Sequence, residues 1–145
     1  LRCLVGSEMC IRDSSPFEGV EYDMNNWSVV LNVHYGETSI LLTGDAETYA
    51  ESVMLANLSK DELAATVLKL GHHGSSTSTS EAFLSAVSPK IAVVSVGKDN
   101  DYGHPNEETL ALLEQRGITL YRTDEQGTIK IVLDGTRATV TVEKG

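Results

Sequence analysis

The chain has no apolar run long enough to cross a bilayer: the longest, such as Ile91-Ala-Val-Val-Ser-Val96, falls far short of the ~20 residues a spanning helix needs. No membrane contact by this segment is therefore expected. Basic charge is also scarce, with 11 Lys plus Arg against 21 Asp plus Glu and a net charge of −10. A broad basic footprint, the usual mark of a nucleic-acid binder, is missing, which counts against DNA unless bound cations offset the field locally. Cysteine is confined to Cys3 and Cys10. The stretch around them, LRCLVGSEMCIRDS, has no helix or strand periodicity, and Glu8, Arg12 and Asp13 make it a poor signal peptide. It reads as translated adapter sequence. Residues 1–14 are thus expected to be a non-native leader and 15–145 the protein proper, and the cysteines then say nothing about redox compartment. No G-x-S-x-G elbow marks a serine nucleophile, and no repeat, low-complexity linker or internal boundary divides the chain.

What is present fits one soluble domain, since 145 residues with 41% apolar and 22% charged content are ordinary for a globular protein. From Trp27 the pattern sharpens. Val29, Leu31 and Val33 alternate with Val30, Asn32 and His34, and Ser39–Leu42 returns as a second strand of a hairpin. A helix is expected over 46–55 with Ala50, Val53 and Met54 on one side, then a buried strand over 65–70. Ser80 reads as the N-cap of a helix ending before Pro89. Residues 91–96 form an apolar strand, and a helix over 105–116 has Pro in its first turn and Gly117 after its end. Strands over 118–121, 128–132 and 138–142 follow, with turns at 124–127 and 134–135. The fold class is layered α/β with a mixed sheet.

The polar residues that need a reason all sit where a strand gives way to a loop, where layered α/β folds gather their sites. Asp45 follows the second strand; alone it reads as a turn or capping aspartate as readily as a carboxylate metal ligand. His72 and His73, between Gly71 and Gly74, are more specific. Neighbouring side chains on extended backbone point oppositely, so both can serve one cavity only where the chain leaves strand geometry. One can bind a metal through a ring nitrogen while the other moves a proton or holds a carboxylate. His104, in NDYGHPN, is either a loop histidine packed on Tyr102 or a further member of the set. Together these are donors that zinc or manganese accepts. His34, beside Asn32 on the polar side of its strand, reads as a solvated surface residue. The Ser/Thr tract 75–80 reads as a flexible polar loop, and Asp99, Asp101 and Asp124 as turn residues.

In this order, NNWSVVL, ILLTGDAE, VLKLGHHGSSTS, PKIAVVSVG, YGHPN and YRTDEQGTI resemble the metallo-β-lactamase-fold domain of the ComEC family of DNA-internalisation competence proteins, from Tyr22 to Gly135. The resemblance implies an αββα sandwich with a metal site between its sheets. It implies two divalent ions, zinc or manganese, with Asp45 as the bridging carboxylate. His72, His73 and His104 would share the later metal-ligand and proton-transfer roles; His72 is the slight preference for metal within the pair, His73 for proton transfer, and His104 fits either. The family's His-x-His/Asp-x-Asp-His motif is not in this sequence, where His34 is the only histidine before Asp45. The expectation is therefore the C-terminal part of the domain, an incomplete sandwich with helices on one side of a mixed sheet, whose partner is the missing N-terminal half. Little catalysis is expected of the chain itself. The parent would be a metal-dependent phosphodiesterase or nuclease acting on single-stranded DNA, in bacteria, at the outer face of the cytoplasmic membrane or secreted. A small-ester, lactone or β-lactam hydrolase and a non-catalytic module with structural histidines are the alternatives.

Overall fold

A computed structural model describes residues 2–3 and 24–144. Of the expected leader only the short β1 (Arg2–Cys3) is described, antiparallel to the strand that follows; residues 4–14 lie outside the described residues. The hairpin is present as β2 (Leu31–Tyr35) and β3 (Thr38–Leu42). α1 (Thr48–Asn57) and the short α2 (Lys60–Leu63) lead to β4 (Val67–Lys69), α3 (Glu81–Val87) to β5 (Ile91–Val94), and α4 (Glu107–Gln115) to β6 (Thr119–Arg122). The six strands run in order β1 to β6 in one mixed sheet, antiparallel through β3 and parallel from β3 to β6.

Because the parallel strands are laid down in one direction, right-handed crossovers put every connecting helix on the same face. The register agrees. Leu41, Leu68, Ala92 and Leu120 stand side by side across β3 to β6, and the first three join Ala50, Met54, Leu63, Phe83, Leu84 and Leu113 of the helices in one buried core. On the opposite face Val67 and Val93 are buried while Ile40, Leu42, Ile91 and Tyr121 are half-buried. The expected mixed sheet with helices on one side is what is observed.

The chain ends in α5 (Thr123–Gln126) and a separate two-stranded sheet of β7 (Ile129–Leu133) and β8 (Ala138–Val142). Its turn meets the β2–β3 turn, where the Glu37 amide donates to the Gly135 carbonyl at 2.6 Å.

Several local expectations need correction. Asn32 is fully buried on the helix side, its side-chain amide donating to the carbonyls of Glu62 and Ala64 at 2.9 and 3.2 Å. Those two bonds offset part of the cost of burying the amide, whose Oδ1 is buried without a partner among the described residues, whereas His34, nearer the turn, is exposed as expected. Pro105 lies outside its helix: Asn106 is the N-cap, accepting from the Glu108 amide at 3.0 Å. Residues 123–126 form a helical turn rather than a bare turn, and Asp124 there is paired with Arg122 through two contacts of 3.2 and 2.7 Å. That pairing holds the Asp124 carboxyl below its usual range. The Ser/Thr tract is not a loose polar loop either, since Ser75, Ser78 and Thr79 are buried.

Candidate metal centre

Three strand ends meet at the C-terminal edge of the parallel strands. After β3 the chain turns through Gly44 into Asp45. After β4 it enters a tight turn over Gly71–Gly74, and after β5 the loop 97–104 returns to the edge with His104. Sequence spacing leaves the distances between these points open; the sheet register closes them.

The double histidine departs from strand geometry more sharply than glycine alone would require. His72 and His73 themselves adopt left-handed conformations, with φ of 42° and 55°. Such backbone is uncommon for residues other than glycine, costs on the order of 1 kcal/mol or more at each, and is concentrated at functional sites. Gly71 and Gly74 contribute by close approach: a Cβ on Gly71 would lie 2.7 Å from the Ala46 carbonyl oxygen, and one on Gly74 2.7 Å from the Pro105 Cβ. The three strand-end segments are thus pressed together, Gly71 against the backbone of Ala46 and Gly74 against the ring of Pro105.

With the chain turned in this way, the histidines are each committed through Nδ1. His73 Nδ1 lies 2.6 Å from the Ser95 carbonyl oxygen. A carbonyl only accepts, so Nδ1 carries a proton, and Nε2 is the nitrogen that a metal ion would engage. That nitrogen is 3.5 Å from Asp45 Oδ1. The separation is long for a hydrogen bond. It is the separation of two ligands on one tetrahedral cation: donors about 2.0–2.2 Å from the ion stand roughly 3.3–3.6 Å apart. His72 Nδ1 lies 3.0 Å from Glu47 Oε1, an oxygen that also accepts from Thr77 Oγ1 at 2.7 Å. The carboxylate likewise leaves the His72 Nε2 lone pair free.

His104 completes the group, its ring centroid 5.8 Å from that of His72, which in turn is 6.4 Å from His73. Its Nδ1 is buried without a hydrogen-bond partner. Burial, and then the neighbouring imidazoles of His72 and His73, push its pKa down and favour the neutral ring. The backbone of residue 104 is held by Asn100, whose side chain accepts from the His104 amide at 3.0 Å and donates to its carbonyl at 2.7 Å. Lys69, on the sheet face away from the helices, has its ammonium pushed down by burial and partly restored by the charge of Asp45.

The model of the metallo-beta-lactamase superfamily matches residues 5–98, more than half of the chain. The chain belongs to the metallo-beta-lactamase superfamily. Within it, the segment is similar to ComE operon protein 3 of Bacillus subtilis (44% identical over 106 residues, 73% of this chain and 13% of that protein). It is also similar to Competence protein ComA of Neisseria gonorrhoeae (42% over 118 residues, 81% and 17%) and Recombination protein 2 of Haemophilus influenzae (37% over 117 residues, 81% and 14%). The chain therefore spans less than a fifth of the length of each of these relatives, and it is similar to one segment of them.

Superfamily membership implies divalent-metal binding. The donors present fit such an ion in part: Asp45 and His73 are at ligand-to-ligand distance, and His72 and His104 hold unspent ring nitrogens beside them. Among the described residues no three His, Cys, Asp or Glu side chains come together as a closed ligand set. Within the pair, it is His73 that faces Asp45, and His72 that is fixed by a carboxylate. Glu47 was legible in the motif TGDAE only as an unassigned acid. Its role follows from α1, which begins at Thr48 and carries the residue before it back over the histidine turn.

Proposed function

We propose that the chain carries one wall of the active site of a metal-dependent phosphodiesterase, in the parent protein a nuclease for single-stranded DNA. The observation that supports this is the Asp45–His73 pair, 3.5 Å apart with the other imidazole nitrogen already spent on Ser95. Bound there, two divalent ions, zinc or manganese, would supply Lewis acidity and a nucleophile at neutral pH. In this reading Asp45 and His73 are ligands. His72, oriented by Glu47, presents Nε2 for an ion or for a proton. His104, kept neutral, completes the ligands or donates to a phosphoryl oxygen. The remaining ligands come from a His-x-His/Asp-x-Asp-His segment, which this chain does not contain and which is its natural partner.

DNA as substrate is supported by the competence proteins among the relatives, and by the same analogy the parent works at the outer face of the cytoplasmic membrane or outside the cell. The net charge of −10 favours a second reading, a hydrolase of small esters, lactones or β-lactams. Titration calorimetry with zinc and manganese, followed by assays on bis-(p-nitrophenyl) phosphate, single-stranded DNA and a lactone panel, separates them. The chain alone is expected to bind metal weakly, and Asp45→Ala or His73→Ala to lower that affinity by more than about tenfold. Phosphodiester cleavage is expected once the upstream segment is supplied. Brisk metal-dependent cleavage by the chain alone would refute the shared-site reading, and turnover of lactones without phosphodiesters would replace the substrate.

A further inference from the structure

The rim of this site carries an aromatic ring that the fold does not use. Tyr102 is 84% exposed, although a buried aromatic side chain of its size contributes more than most residues to a core. It is not far from the chemistry. Its ring lies 6.0 Å from that of His104, at only 20° to it, so one side backs onto a site histidine and the other stands open to solvent. Gly103 between them has φ of +67°, the left-handed step that brings the two rings to one side of the loop.

Charge on the same loop narrows what could settle on that ring. Lys98 is outnumbered by Asp99 and Asp101, all three exposed, so the segment offers no net attraction for phosphate. A planar unsaturated ring needs none. Stacking on an aromatic side chain is tolerant of base identity and independent of charge, and it requires a base whose own face is not already covered by a neighbour in a duplex.

We propose that Tyr102 is a stacking platform for a nucleobase adjoining the attacked phosphate, which makes the rim of the site selective for unpaired strands. This rests on the phosphodiesterase reading above. Fluorescence anisotropy of the full chain with zinc, using a labelled five-nucleotide thymidine strand and an abasic strand of equal length, tests it. The wild-type chain is expected to bind the thymidine strand about tenfold more tightly than the abasic one. Tyr102→Ala should erase that difference and leave abasic binding unchanged, while Tyr102→Phe keeps it, since the ring face and not the hydroxyl stacks. Circular dichroism of the variants establishes that they fold. Equal affinity of the wild-type chain for the two strands, or a Tyr102→Ala variant that still prefers thymidine, would overturn the platform and leave the phosphodiesterase reading standing. Failure of both strands to bind the wild-type chain would overturn the platform, while the phosphodiesterase reading falls only if cleavage is absent once the upstream segment is supplied.

Discussion

Two arms close on the candidate site, and they are built oppositely. The arm after β4, residues 71–80, is bonded along its length: the His72 amide donates to the Gly44 carbonyl at 3.1 Å, Ser78 Oγ to the Gly71 carbonyl at 2.8 Å, and the Ser80 amide to Glu51 at 2.8 Å. The arm after β5, residues 97–104, is exposed at most positions and is held chiefly where Asn100 grips His104. The first arm spends buried polar groups to keep two histidines in left-handed backbone. The second keeps one histidine in place and leaves Tyr102 in solvent. On the proposed reading, rigidity falls where ligand geometry would have to be reproduced to fractions of an ångström, and openness where a substrate would enter.

The largest expected effect comes from removing the acid beneath the rigid arm. Glu51 is 2% exposed and accepts from the amides of Thr79 and Ser80. Glu51→Ala strands both amides in a buried position, at roughly 1–3 kcal/mol for each. Urea unfolding should show a loss of about 2–5 kcal/mol, and hydrogen exchange should show protection lost over 75–80 while 97–104 is unchanged. A loss below about 1 kcal/mol would mean that the first arm is no better anchored than the second.

Next in size is Gly71→Ala. The new methyl meets a backbone oxygen of residue 46, and a backbone atom cannot swing aside as a flexible side chain would. Overpacking of this kind costs roughly 1–3 kcal/mol, and the displaced turn should also weaken zinc binding, read by calorimetry. Unchanged metal affinity in a destabilised variant would separate the packing of the arm from the geometry of its histidines.

Asn100→Ala is the matching cut in the open arm. It deletes two partly buried bonds to one residue, for a stability loss of about 1 kcal/mol. Protection should fall over 97–104 alone, with the His72 and His73 ring signals unmoved in NMR spectra. Movement of those signals would show that the arms are coupled and not independent.

The contrast between the arms also marks where sequence reasoning worked. Strands and helices with clear periodicity were legible, as was the Ser80 N-cap, and so was the gathering of Asp45, His72, His73 and His104 at strand ends. The short α2 carried a readable signal that was missed: Ser59 and Glu62 form a capping box, with Ser59 accepting from the Glu62 amide and Glu62 accepting from the Ser59 amide. Asn32, Glu47 and Glu51 were not legible as partners. Each is a polar residue whose partner lies 25 to 30 or so positions away, a separation that only the packed α1 and α2 bridge. Nor do two left-handed histidines follow from residue type, because the conformation is imposed by the surrounding contacts against local preference.

The smallest effect sharpens the comparison most, because it asks what the charge on Glu51 costs. Burial raises the Glu51 pKa above its ordinary value, while the bonds from Ser80 and Thr79 pull it down; burial is the larger cause. A carboxyl with a raised folded pKa binds a proton more readily folded than unfolded. Its contribution is therefore fully present below the unfolded value, near 4.5, and is lost as pH rises through the folded pKa. Wild-type stability relative to Glu51→Gln should accordingly be greatest in mild acid and decline toward neutrality, measured as urea midpoints across that interval. A gap that widens with pH instead would mean that the two backbone amides outweigh desolvation, and that the rigid arm is held by charge as well as by shape.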